Sequence, residues 1–178
     1  SLKSSKRLYP CFESIEELSL KKKSQLTAGN PPIYDRSALN LSDKEINNYI
    51  NQGKKPHWRF KLNDSKIEWK DIIKGNLSFE TKNISDPILI REDGSLLYHL
   101  PSVIDDIEEK ITDIIRGEDH ISNTAFHIQI FHALGHNPPN FGHHTFITDE
   151  EGKSFAKRLG SLSIKRLREV GYENITII

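Results

Sequence analysis

Ile114-Ile115-Arg116-Gly117-Glu118-Asp119-His120-Ile121-Ser122-Asn123-Thr124 is the stretch whose reading decides the fold. Ile111, Ile114 and Ile115 give a short β-branched strand pattern that runs straight into a charged, glycine-containing turn. After the turn, Ser122 or Asn123 can cap a helix. Ala125, Phe126, Ile128, Ile130, Phe131, Ala133 and Leu134 supply its apolar face, and Gly135 stops it. Just upstream, Val103, Ile104 and Ile107 are apolar at helical spacing, so the local order is helix, strand, polar turn, helix. A strand end that opens a helix is where open α/β sheets bind their ligands. Arg116, Glu118 and Asp119 lie at that edge. On spacing alone, a solvated turn with internal ion pairs accounts for the same three charges.

Upstream of position 97 the pattern is different. Ser14 with Glu17, and Ser42 with Glu45, have the spacing of capping boxes. The first predicts a helix carrying Ile15, Leu18 and Leu20 that ends in Lys21-Lys22-Lys23, and the second a helix through Ile46, Tyr49 and Ile50 to near Gly53. Strands are expected at 57–62, 66–69, 77–79 and 87–91. Glu92-Asp93-Gly94-Ser95 should turn the last of these into a returning strand, Leu96 to Leu100, as a hairpin. This is an α+β arrangement rather than a repeating βαβ one.

The 178 residues, 35% of them hydrophobic, suffice for one ordinary domain or two small ones. No apolar run approaches bilayer length and no leader pattern opens the sequence, so a soluble cytoplasmic protein is expected. Cys11 is the sole cysteine, which excludes an intrachain disulfide and a multi-cysteine zinc site. His132 and His136 fall near a helix end and His143 and His144 on a separate strand, and His127 shares no helix face well with His132, so no metal site is expected. With no methionine present, the chain reads as an excised piece of a longer protein. Net charge is zero, but 12 Lys and Arg face 6 Asp and Glu in 1–61, 7 face 17 in 62–152, and 6 face 2 in 153–178. Basic ends around an acidic middle are consistent with a polyanion touching both ends, and ordinary solvated charge accounts for them as well.

Tyr98-His99-Leu100, Val103-Ile104-Asp105-Asp106, the Ile115–Thr124 run and Lys157-Arg158-Leu159-Gly160-Ser161-Leu162-Ser163-Ile164 occur in the order and at the distances of one family. Together they closely resemble the second half of the catalytic domain of bacterial glutamyl-tRNA synthetases. The resemblance runs from about Leu8 to the C-terminus. It implies an α/β fold with an α+β insertion: an acceptor-stem-binding insertion over 1–97, the second half of a class I Rossmann-type catalytic domain over 98–149, and the second ATP signature with the start of a stem-contact region over 150–178. It implies a glutamate–tRNA ligase that forms glutamyl-adenylate from glutamate and ATP and charges tRNA(Glu), with magnesium expected from the chemistry and a monomeric parent.

By the same resemblance Tyr98, Ser102 and Arg116 bind glutamate. Gly117, Glu118, Asp119, His120, Phe146, Ile147 and Lys157 bind ATP, and Lys157 and Arg158 are catalytic cations of the Lys-x-Ser-Lys-type loop. A planar guanidinium is the natural clamp for a carboxylate, while from the residues alone Arg116 could equally pair with Asp119 or Asp106. Ser102 stands where many members have asparagine. Ser154 and Ala156 stand where the loop usually has lysine and serine, with Lys153 one place away. The first signature, His-x-Gly-His, is absent, so the chain alone is expected to be inactive. The loop departures leave one rival, a non-catalytic tRNA-binding module; a second, a truncated paralogue that glutamylates a modified tRNA base, is opposed by the intact run Arg116–Thr124.

Overall fold

The computed structural model describes residues 2–146 and 168–171. Ile147, Ser154, Ala156, Lys157 and Arg158, on which several expectations fall, lie outside the described residues. The element order is β1 (Leu8–Cys11), α1 (Ile15–Thr27), α2 (Asp43–Asn51), β2 (His57–Phe60), β3 (Lys66–Asp71), β4 (Gly75–Glu80), β5 (Ile88–Ile90), α3 (His99–Glu108), β6 (Asp113–Gly117), α4 (Ile121–Leu134) and β7 (Asn140–His144). Single turns of 3-10 helix occupy Ser37–Asn40, Thr81–Asn83 and Glu118–His120.

Both capping boxes form. Ser14 Oγ accepts from the Glu17 N–H and Ser42 Oγ from the Glu45 N–H, while each glutamate carboxylate takes the serine N–H in return. Neither α1 nor α2 contains a fully buried residue, so local capping carries an unusual share of their stability. Ser42→Ala is expected to destabilise α2 by about 1 kcal/mol, read as faster amide exchange across Asp43–Asn51. Helix α1 does not stop at the lysine run; it continues to Thr27. Lysine is a good helix former, and the stop comes at Gly29, whose φ of +74° few other residues adopt.

Antiparallel β1-β2-β5 form one sheet, β3-β4 a two-stranded hairpin, and β6-β7 a parallel pair. The expected 87–91 hairpin closes its turn through Arg91 N–H to Ser95 O, but the returning arm makes one bridge, Ile90 to Leu96, and then becomes α3. Tyr98 and His99 are therefore at a helix start and not on a strand. Leu100, Val103, Ile104 and Ile107 recur at helical spacing and pack on the core, and Pro101 is tolerated because it falls in the first turn.

One core joins the two regions on either side of position 97. Leu8, Phe60, Leu62 and Leu89 pack with Leu100, Val103, Ile128, Ile130, Phe131 and Phe141. Helix α4 is buried nearly all round, which forces its polar residues to find partners. Gln129 does so across the molecule: its amide oxygen accepts from the Asn63 N–H and from Arg7 Nη2. The crossover β6-α4-β7 brings the polar turn after β6 beside the end of β7, with Arg116 in register with His143 and Gly117 with His144. Gly142, on β7, leaves room for Ile73 and Ile115, which lie 3.4 and 3.5 Å from where a Cβ would stand.

Candidate active site

The expected helix cap at Ser122 or Asn123 is replaced by a 3-10 turn, Glu118–His120, that feeds directly into α4 at Ile121. Asn123 reaches back to the turn, its Nδ2 2.9 Å from His120 Nδ1. This compact turn brings the charged residues against the end of β6. Gly117 has an ordinary φ, but a Cβ there would come within 2.6 Å of Asp119 Oδ1, so glycine here makes space for a carboxylate rather than for a backbone twist.

Arg116 makes no ion pair with Asp119 or Asp106 among the described residues. Its Nη1 donates to Tyr98 Oη at 3.1 Å and its Nη2 to Thr124 Oγ1 at 2.6 Å, both neutral hydroxyls. Its Nε is buried with no partner among the described residues. The guanidinium packs over the Phe141 ring, 5.6 Å from its centroid. Burial lowers its pKa, opposed by the Tyr98 hydroxyl and by the more distant carboxylates of Asp106 and Asp119. An arginine stays protonated under any such pressure, so the site presents a partly desolvated cation that no carboxylate among the described residues bonds.

The other expected residues distribute around it. Tyr98 is half exposed and faces a wall of imidazoles, with ring centroids 5.4 Å from His99, 5.9 Å from His120 and 5.6 Å from His127. Ser102 lies one turn further along α3, half-buried, its N–H bonded to Tyr98 O. Glu118 is held by Lys74 from the β3–β4 turn at 2.6 Å, a hydrogen bond that, working against slight burial, keeps its carboxyl below the usual range. Asp119 is exposed, with Oδ2 3.8 Å from His120 Nε2. Phe146 is not on the strand: β7 ends at His144, and Phe146 stands just beyond it, exposed, near Gly117.

Sequence reasoning missed a second layer beneath Arg116. Asp71, His143, Thr124 and His127 are buried there. His143 Nδ1 meets Asp71 Oδ2 at 2.5 Å and its Nε2 meets Thr124 Oγ1 at 2.9 Å. Burial would raise the Asp71 carboxyl, but the N–H of Lys74, the His143 ring, the His143 N–H and the Ile73 N–H outweigh it and hold the group well below the usual carboxylate range. Burial likewise pulls His127 down to about 3, helped by Arg116, His99 and His120. Its Nε2 lies 3.1 Å from His99 Nδ1. The sequence places His143 on a strand; its partner 72 residues upstream was not legible.

The histidines considered as metal ligands do not come together among the described residues. One group of ligand types does, elsewhere: donor atoms of Cys11, Glu13 and His57 all lie within 4.8 Å of one another. Burial pushes the Cys11 thiol up to about 12, and Tyr34 Oη donates to Glu13 Oε1 at 2.6 Å, so this group is a protonated thiol beside an internally bonded carboxylate. A separate cavity of about 410 Å³, lined by Phe12, Glu17, Leu20, Lys21, Leu41 and Tyr49, also lies on the N-terminal elements, away from Arg116.

A glutamate–tRNA ligase of Rickettsia typhi is 56% identical over 173 residues, which is 97% of this chain and 38% of that protein. One from Maricaulis maris is 51% identical over 179 residues, 100% of this chain and 40% of the relative. A crystal structure of a glutamate tRNA ligase from Elizabethkingia meningosepticum, in complex with its amino acid, superposes with a TM-score of 0.81 at 28% identity, over 96% of this chain and 34% of that one. The chain thus spans about two fifths of the curated relatives it matches. The family model for the catalytic domain of class I tRNA synthetases for glutamate and glutamine matches residues 2–178, and the chain belongs to that family, with its Rossmann-like sheet and helices.

Proposed function

We propose that this chain is part of a glutamate–tRNA ligase, supplying the amino-acid clamp, one side of the nucleotide site and a surface for the tRNA acceptor end. The observation that carries the reading is Arg116: a half-buried guanidinium at a strand end, bonded only to the neutral hydroxyls of Tyr98 and Thr124 among the described residues. Such a group holds free charge for a planar anion, and a glutamate side chain is one. Tyr98 Oη lies beside it to complete the clamp, with Ser102 a turn away.

Activation joins the α-carboxylate of glutamate to the α-phosphorus of ATP and expels pyrophosphate. In this reading Gly117, Glu118, Asp119 and His120 border the nucleotide with Phe146 and Ile147. Lys157 and Arg158 stabilise the charge that grows on the leaving phosphates. Magnesium accompanies the triphosphate as part of the substrate. Residues 1–97, with Lys21, Lys22, Lys23, Lys54 and Lys55 on their surface, form the acceptor-binding insertion, 98–149 the second catalytic half, and 150–178 the loop and stem contact.

The test is ATP–pyrophosphate exchange with glutamate and tRNA, run on the full-length protein and on this chain alone. Exchange by the full-length protein only is expected. Ser154 and Ala156 give the rival binding module its footing; a silent full-length protein that binds tRNA with a steep salt dependence would establish that rival instead.

A further inference from the structure

We infer that Asp71, His143 and Thr124 form a buried, one-directional hydrogen-bonded chain that positions Arg116 for the side-chain carboxylate of the amino acid, a conclusion that rests on the glutamate reading above. Arg116 comes from β6, Thr124 from α4, His143 from β7 and Asp71 from the end of β3. No two adjacent members of the chain share an element, so the arginine is fixed by the tertiary fold and not by its own strand.

The direction follows from donor and acceptor counting. Asp71 Oδ1 already accepts the N–H groups of Ile73, Lys74 and His143 at 2.9–3.0 Å. An ionised carboxylate can only accept, so His143 carries its proton on Nδ1 and donates it to Asp71 Oδ2. A second proton on Nε2 would set a cation one hydroxyl away from the Arg116 guanidinium in a dry site, so the proposed chain takes the ring in its neutral form, with Nε2 a bare acceptor 2.9 Å from Thr124 Oγ1. Thr124 has one hydroxyl proton, and the competing acceptor, His120 O, is further away at 3.3 Å. The proton goes to His143, and the threonine oxygen turns its lone pairs to Arg116 Nη2, 2.6 Å away. Every proton points from the guanidinium towards the buried carboxylate. Thr124 and His143 are 0% exposed, so water does not compete, and aligned bonds in a dry site reinforce one another. Arg116 is thereby held with Nη2 bonded to Thr124, Nη1 shared with Tyr98, and its other N–H groups without a partner among the described residues. Thr124 is the positioning residue that contacts it directly; Asp71 sets the tautomer that makes this possible.

Two measurements test this. In the full-length protein, Thr124→Val keeps the shape and removes the hydroxyl. The KM for glutamate in pyrophosphate exchange is expected to rise about tenfold to a hundredfold, with the KM for ATP and kcat within about twofold. Thr124→Ser restores it. His143→Asn, which keeps a partner for Asp71 but none for Thr124, reproduces the valine phenotype, and the double variant is no worse than either alone. A wild-type glutamate KM in Thr124→Val overturns the proposal, as does an equal rise in both KM values that serine does not rescue. Independently of activity, ¹⁵N NMR of histidine-labelled protein should show His143 neutral and protonated on Nδ1; the Nε2-protonated form overturns the chain. A wild-type protein that exchanges nothing with glutamate defeats the functional reading, whereas a correct tautomer with an unresponsive KM defeats only the positioning role.

Discussion

Arg116→Ala in the full-length protein lowers kcat/KM for glutamate by about a hundredfold to a thousandfold, because two charge-assisted hydrogen bonds in a partly desolvated site are lost together. Most of the loss should fall on KM, with ATP binding little changed. Arg116→Lys is expected to recover little of it. An ammonium is a point charge and cannot present two parallel donors to a carboxylate while a third bonds Thr124 Oγ1. Steady-state pyrophosphate exchange with glutamate varied at saturating ATP checks both variants, and a lysine variant within a few-fold of wild type would remove the clamp from Arg116.

Asp71→Ala is expected to be the most destabilising single change in the region, by about 3–5 kcal/mol at neutral pH. The carboxylate is 1% exposed and accepts three backbone N–H groups and the His143 ring. Deleting it orphans all four donors and unties the β3–β4 turn from β7. Its pKa is depressed in the folded state. Its contribution is therefore fully present above the unfolded value of about 3.9 and is lost as pH falls below that towards the folded value. Wild type and Asp71→Ala should converge in stability only in that acid range. Amide exchange at Lys74 and His143, followed from neutral to acid pH, reads the effect locally. Protection unchanged by the substitution at neutral pH would show that the turn does not depend on this carboxylate.

The two predictions mark where local and long-range information part. The strand, turn and helix around Arg116 were legible because each is a short-range signal: Ile114 and Ile115 for β6, the charged turn with Gly117, and the apolar run to Gly135 for α4. The capping boxes at Ser14 and Ser42 formed as their three-residue spacing required. What failed locally failed at boundaries. Tyr98 to Leu100 has strand-like residues, yet its apolar positions continue the i, i+3, i+4 pattern of α3, and burial of Leu100 and Val103 decided for the helix. Phe146 missed its strand because β7 extends no further than its parallel partner: Gly117 is opposite His144, where β6 ends.

By itself, then, the sequence determined the family, the element types around the polar turn and the identity of the guanidinium that faces it, since motif order and periodicity are properties of neighbours along the chain. The tertiary structure alone decided what Arg116 bonds to. Asp119 and Asp106, the partners the residues alone left open to it, are not bonded to it, its partners among the described residues are hydroxyls on α4 and at the start of α3, and the acid that steadies them stands on a hairpin 72 residues away from His143. Burying α4 on nearly every side obliges Thr124 to find polar partners wherever the packing places them, and no spacing rule within the chain carries that distance.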